Sequence, residues 1–356
     1  MKKCLTVGII LLFVGTCTIP SITSEQTYDK NIITVDDEPG DADFTSIKEA
    51  ANASSPGDTI EVYSGTYPEQ EICIVKDNVT LLGVAHELGG GNDSGKPLIQ
   101  GHGNGRVLRV EASHVDVSNF QIEHPGAFSS ICISVHEQNN ITISDCIIHS
   151  SKKEINDGIQ VGKCNNTRII NNDISNCSGG ILASSQRPGS LTITGNIITD
   201  CTPYCGIYLV ANQQNISGNR IVRCGENGIK ICGTNNTIYG NDIDSCPIGV
   251  CSPVLDFTEN DRGNTITKNN FKNYSRDAWW NREILLYFFG LYRSKKDTWI
   301  GNYWDTWIGI GPHRILGWLV IGIVFPIDGG GFGFLIPWFE YDRHPAKQPY
   351  DILGFS

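Results

Sequence analysis

The sequence predicts an all-β protein, a parallel β-helix of about ten coils, and three observations carry that expectation. A phrase with apolar residues at both ends and Asn often in fourth place recurs at 117–122, 143–148, 169–174, 193–198, 216–221, 238–243 and 266–271; successive copies start 26, 26, 24, 23, 22 and 28 residues apart. A second phrase interleaves with it, a Gly leading a short alternating strand, at Gly158, Gly180, Gly206, Gly228 and Gly249. The composition, 39 Gly and 29 Asn with only 18% charged residues, suits a chain of many turns and few long helices. Propeller blades need roughly 40 residues per repeat, and the Leu ladder of a leucine-rich repeat is absent. Coils of two or three short strands fit the period, and stacking them at ~4.8 Å turns equivalent sequence positions into columns in space.

The elements follow in chain order. Met1, Lys2 and Lys3 precede a largely apolar stretch at 4–19 and small polar residues at Ser21, Thr23 and Ser24, which reads as a signal peptide over 1–25 and a secreted or surface location. Thr6, Thr16 and Thr18 interrupt the apolar stretch, and it falls short of the ~20 residues of a membrane span. Phe44, Ile47, Ala50 and Ala51 share one face at helical spacing, predicting a short amphipathic helix over the open end of the stack. The repeats with this cap occupy 32–275.

Within the repeats, Ile148, Ile174, Ile198, Ile221 and Ile243 are in phase and should stack inward. Asn172, Asn196, Asn219, Asn241 and Asn269 form a second column. An Asn there suits a left-handed turn conformation, and its amide can bond along the column. Cys177, Cys201, Cys224 and Cys246 form a third. Parallel Cβ vectors disfavour an S–S dihedral near 90°, so packed free thiols are expected. Bridges off the column (Cys201–Cys205 or Cys232–Cys251) remain alternatives, and no CxxC spacing supports thiolate metal capture.

The last segment, 276–356, differs in kind: all seven Trp lie between 279 and 338. It reads as an aromatic-rich C-terminal cap, a hairpin or loop over the last coil, with an interfacial membrane patch or a Trp sugar platform as the sharper alternatives. Its apolar stretch at 315–327 is too short for a transmembrane helix.

These phrases resemble the right-handed parallel β-helix repeats of the pectin-lyase-like superfamily, and most nearly its NosD-like and carbohydrate-binding β-helix proteins. The segment Asp43, Phe44, Ile47, Ala50, Ala51 followed by Ser55, Pro56, Gly57, Asp58 and Thr59, and the phrase Gly301, Asn302, Tyr303, Trp304, Asp305, carry the same likeness, over roughly 32–305. The resemblance implies the fold. For function it admits glycan binding, cleavage as a polysaccharide lyase or glycoside hydrolase, or a non-catalytic periplasmic role linked to copper. Uronate lyases of the superfamily use a Lys or Arg base and Ca²⁺ held by carboxylates; no cofactor is otherwise expected.

The residues supply thin chemistry beside that. Strand alternation puts Gln160, Leu182, Tyr208, Lys230 and Cys251 in one outward row, with Tyr208 beside Lys230. Gln160, Tyr208 and Lys230 are the candidate ligand-binding residues; Lys230, Tyr208, Asp157, Glu226 and Arg187 are the candidate catalytic ones, a Lys beside a Tyr and carboxylates being able to act as base or sugar binder. Adjacent aspartates of the hydrolase type are missing from the repeats, and Asp36 and Asp37 come before the first coil. His102, His114, His124, His136 and His149 occupy different phases, so no shared metal site is expected. The net charge of −11, from 27 basic and 38 acidic residues, argues against a nucleic-acid partner, and a single Met excludes a Met-rich copper site. The expected partner is a polysaccharide or cell-surface glycan. Nine Asn-x-Ser/Thr sequons permit glycosylation without requiring it.

Overall fold

The computed structural model describes residues 31–124, 130–151, 156–185, 188–252, 263–287, 290–293, 295–324 and 331–352. The expected signal segment 1–25 and the candidate Arg187 lie outside the described residues. Among the described residues the chain is a parallel β-solenoid with one short helix. Three sheets of 11, 10 and 12 strands run its length, and each turn contributes one strand to each sheet. Nine successive turns place a strand in all three, from Thr59–Val62, Thr66–Tyr67 and Ile72–Ile74 to Thr265–Thr267, Asn270–Lys272 and Arg276–Tyr287. A tenth turn supplies Thr298–Ile300 and Tyr303–Trp304 to the first two sheets and runs into the hairpin strand His313–Val324 in the third, so the coils complete before the hairpin number nine, slightly fewer than ten.

Register converts sequence phase into columns. In the second sheet Tyr67, Ile99, Ile122, Ile148, Ile174, Ile198, Ile221, Ile243, Phe271 and Trp304 stand one above another. All are buried, the five predicted isoleucines at 0–1% exposure. Aromatic rings close the aliphatic column at both ends; Phe271 and Trp304 stack at 4.3 Å, and His313 lies at 4.5 Å from Trp304. The Gly of the second phrase faces this column. A Cβ on Gly206 would sit 2.5 Å from Ile221 Cγ2 and 2.8 Å from the Gly228 carbonyl oxygen, so only a residue without one fits. Truncating Ile198 to Ala should cost ~2–5 kcal/mol. Equilibrium denaturation measures it, and a cost near zero would mean that the column is not packed.

The turns differ from expectation by one position. The left-handed residues are Asn171, Gly195, Gly218, Gly240, Lys268 and Gly301, each immediately before a column Asn, with φ between 53° and 69°. The column Asn is thereby freed to turn its amide inward. Asn172, Asn196, Asn219, Asn241, Asn269 and Asn302 are 0–1% exposed. Each of the first five donates its backbone N–H and one Nδ2 proton to Oδ1 of the next, at 2.9–3.1 Å. The other Nδ2 proton goes to a backbone carbonyl, that of Ile193 for Asn219. Asn302 hands its two donors to Oδ2 of Asp342, at 2.8 and 3.1 Å. A second ladder, Gln214, Asn236 and Asn264, ends in the same way on Oδ1 of Asp297. Interior amides thus meet their hydrogen-bonding demand within the column.

The cysteine column is buried and unbridged. Cys177, Cys201, Cys224 and Cys246 are at most 2% exposed, and all eleven described cysteines are free thiols. Hydrogen bonding with the preceding column thiol first, and burial after it, hold Cys201 and Cys224 well above the ordinary thiol range, so they stay neutral and pack as small apolar groups.

The stack has distinct ends. Ile47–Ala53 forms the predicted helix, N-capped by Ser46, whose side chain accepts from the Glu49 N–H. Ile47, Ala50 and Ala51 are buried against the core and Phe44 packs beside them; the helix lies against Ile72–Ile74, the terminal strand of the third sheet. At the other end His313–Val324 and Gly331–Asp342 pair as an antiparallel hairpin that extends the third sheet through Arg276–Tyr287. Its base is anchored on the last turn: Trp299 Nε1 donates to Glu340 at 2.8 Å, and Tyr350 exchanges hydrogen bonds with Asn270. Further out, Phe334, Leu335 and Trp338 are exposed.

Candidate functional site

The third sheet carries the outward row. Register aligns Cys73, Arg109, Ser134, Gln160, Leu182, Tyr208, Lys230 and Cys251. Flanking inward residues, Ile207 and Leu209 beside Tyr208 and Ile229 and Ile231 beside Lys230, are buried, so alternation holds Tyr208 and Lys230 outward; Cys251, expected in the same outward row, is instead buried together with both its strand neighbours, Val250 and Ser252. Lys230 Nζ lies 5.3 Å from the Tyr208 ring centroid, a cation–π pair. Tyr208 Oη accepts from Cys232 Sγ at 3.7 Å, and partial burial first, then that thiol, push the phenol up to about 12. At neutral pH it is therefore a neutral donor and an apolar face.

Beside the row runs a groove of about 350 Å³ whose lining includes Arg106, Ser134, Gln160, Lys163, Ser184 and Tyr208. Arg106 Nε donates to Ser134 Oγ at 3.2 Å. Lys163 reaches Glu137 at 3.1 Å, and Arg109 pairs with Glu71 and Glu111. Among the described residues Arg106 and Lys230 have no carboxylate partner within 4 Å, so the groove presents one uncompensated cation, Arg106, and the row beside it another, Lys230, on an acidic protein. Sequence reasoning missed Arg106, Ser134, Lys163 and Ser184. The first two lie on coils that lack the Gly phrase, and the others lie off the row it read.

The candidate catalytic residues do not converge. Asp157 lies on Asn156–Gly162, with Oδ1 accepting from Ser178 Oγ at 2.7 Å; burial raises its carboxyl. Glu226 is exposed at the head of the strand that holds Lys230, and no ion pair joins the two. Asp157 is three rungs from Glu226, roughly 14 Å at one rung per ~4.8 Å. That separation exceeds the carboxyl spacing of either glycosidase geometry.

Among the described residues the groups of three or more His, Cys, Asp or Glu with converging donors are all carboxylate: Asp36, Asp37 and Glu38, and Glu38, Glu87 and Asp93. Burial first, then the neighbouring acids, raise Asp36 to about 6; the Asp37 carboxyl beside it is the main cause that raises Glu38 to about 7. Two of the histidines are engaged locally, His114 with Asn140 at 2.8 Å and His149 with Ser175 at 3.2 Å. Copper prefers imidazole and sulfur ligands, and no such trio converges among the described residues.

Known proteins agree with this architecture. The crystal structure of an alginate lyase from Paenibacillus sp. str. FPU-7 superposes with a TM-score of 0.55 at 14% identity, covering 77% of this chain and 95% of that one. Pectate lyase Pel9A aligns with a TM-score of 0.43 at 13% identity, over 79% of this chain and 81% of its own. At 14% identity the likeness to the alginate lyase is one of fold. No curated protein matches the sequence. No helix among the described residues is long and apolar enough to cross a membrane. The family described as periplasmic copper-binding protein (NosD) matches residues 94–309, most of the solenoid, and with its repeats in register over that span the chain belongs to the NosD family.

Proposed function

We propose that the protein binds an acidic polysaccharide outside the cytoplasm, along the outward row and groove of the third sheet. The observation that carries this reading is the juxtaposition of Lys230 and Tyr208 at 5.3 Å, in line with Gln160 and the Arg106-lined groove. A sugar ring lies on an aromatic face through its C–H groups, while the cations meet carboxylates of the polymer and Gln160 and Ser134 meet hydroxyls. The rung spacing repeats these groups along a line, which suits a repeating ligand. A similar solenoid is an alginate lyase, and alginate is a polyuronate. The extracytoplasmic location rests on the signal-like N-terminus and the family's periplasmic description. Cleavage is not part of the reading, because the carboxylates and Lys230 do not assemble into one centre, and no cofactor is assigned to the groove.

A glycan array that includes polyuronates tests it. Wild type should bind an acidic polymer, and Lys230→Ala and Tyr208→Ala should each weaken binding about tenfold, ~1.4 kcal/mol, without unfolding the chain. Unchanged affinity in both variants would move the site elsewhere on the surface. An ultraviolet-absorbing unsaturated product would replace binding with lyase activity.

A further inference from the structure

The acidic cluster at the N-terminal end of the stack is not explained by the groove, whose lining on the third sheet includes none of its residues. Asp36, Asp37 and Glu38 follow the first strand, Ile32–Val35, and Glu87 and Asp93 belong to the segment between Thr80–Gly83 and Leu98–Gln100. Asp36 is fully buried, and neither of its carboxylate oxygens has a hydrogen-bond partner. A buried carboxylate with no donor is costly enough that native proteins almost always supply a partner. One of its oxygens lies within 4.8 Å of donors on both Asp37 and Glu38, so the unpartnered group points into the cluster. Asp37 Oδ1, Glu38 Oε2 and Glu87 Oε1 are likewise buried without partners. No Lys or Arg pairs with any of the five acids among the described residues.

We propose that Asp36, Asp37, Glu38, Glu87 and Asp93 form a calcium site, with Glu38 shared between its two triads. All five donors are hard carboxylate oxygens on turns and loops, and Ca²⁺ accepts six to eight such ligands in irregular geometry where Mg²⁺ demands an octahedron. Existing contacts already orient the acids. Asp37 Oδ2 accepts the Thr66 N–H at 2.9 Å, and Glu87 Oε2 accepts the Asp93 N–H at 2.9 Å. Bound calcium would tie the turn after the first strand to the 84–95 segment two rungs further along the first sheet and lock the start of the solenoid. The site is structural and independent of glycan binding. Its affinity need only match the millimolar calcium of an extracytoplasmic setting.

The full chain, stripped with a chelator, is titrated with Tb³⁺ and then Ca²⁺. Tyr63 and Tyr67 neighbour the site, since both hydrogen-bond the Val35 carbonyl; excitation of tyrosine should therefore give Tb³⁺ luminescence that Ca²⁺ displaces. Calcium at roughly a hundredfold excess over Kd should raise Tm by about 5 °C, reversibly with EDTA. Asp36→Asn and Glu87→Gln should abolish both signals, and Asp93→Asn, at an exposed position, should weaken them while the chain still folds. Asp116→Asn removes the same charge elsewhere and should leave both unchanged. Absence of Tb³⁺ luminescence together with an unchanged Tm in the wild type, or retention of both signals in Asp36→Asn, would overturn the proposal.

Discussion

Asn219→Ala is expected to destabilise the protein by about 3–6 kcal/mol, far more than the loss of one surface amide. The substitution strands several buried groups at once. The Asn196 backbone N–H and Nδ2 lose their acceptor, and the Ile193 carbonyl loses its donor. Asn241 Oδ1 keeps the backbone N–H of residue 219 but loses the Nδ2 donor. Each stranded buried group costs ~1–3 kcal/mol, which gives the range stated. Because each coil touches only its neighbours, the damage should be local, and hydrogen exchange should show protection lost first around 193–241. Denaturant unfolding supplies the total. A cost below ~1 kcal/mol would mean that water reaches the ladder and replaces the amide.

Asp342→Asn should cost about 3–5 kcal/mol although it changes a single atom. Five N–H groups converge on this fully buried carboxylate: those of Gly301 and His344 on Oδ1, and the backbone and Nδ2 of Asn302 with Trp304 Nε1 on Oδ2. An amide must turn its own donors toward two or three of them. Trp304 fluorescence should shift as its indole bond is lost. A variant as stable as wild type would show that the hairpin base is not what ends the ladder. Asn219→Asp should fare worse than the Asp342 precedent suggests, because an interior position must donate onward to Asn241 as well as accept.

The sequence makes the column positions legible because a solenoid turns phase into place. Ile148 to Ile243, the first Asn ladder as far as Asn269, and the Tyr208–Lys230 pair are all read by counting. What escapes counting is contact made by chain outside the repeat. Asp342 completes the ladder from 40 positions beyond Asn302, and nothing in the hairpin's apolar sequence marks it. The second ladder is short and mixes Gln, Asn and Asp, so its column has no single letter to recognise. Arg106 reaches the groove from a coil without the Gly phrase. Asp36 and Glu87 meet through loops, whose paths periodicity does not set. The one-residue error over which residue turns left-handed has a physical cause. Asn favours both a left-handed turn and side-chain hydrogen bonding, and in this fold neighbouring positions divide the two tasks.

The two ladders also give the solenoid an electrical sense. Along both columns every bridging Nδ2–H points toward the C-terminal end and every Oδ1 toward the N-terminal end. Dipoles aligned head to tail add, as peptide dipoles do along a helix, and leave a partial positive charge at the donor end. Asp342 and Asp297 place a carboxylate at that pole of each column. At the opposite pole the columns begin on plain backbone N–H groups, those of Cys146 and Leu191. A coil inserted within either column can join it by offering one Asn, whereas growth past the carboxylates would set an acceptor where the next amide must find a donor. The stack is extensible at one pole and terminated at the other.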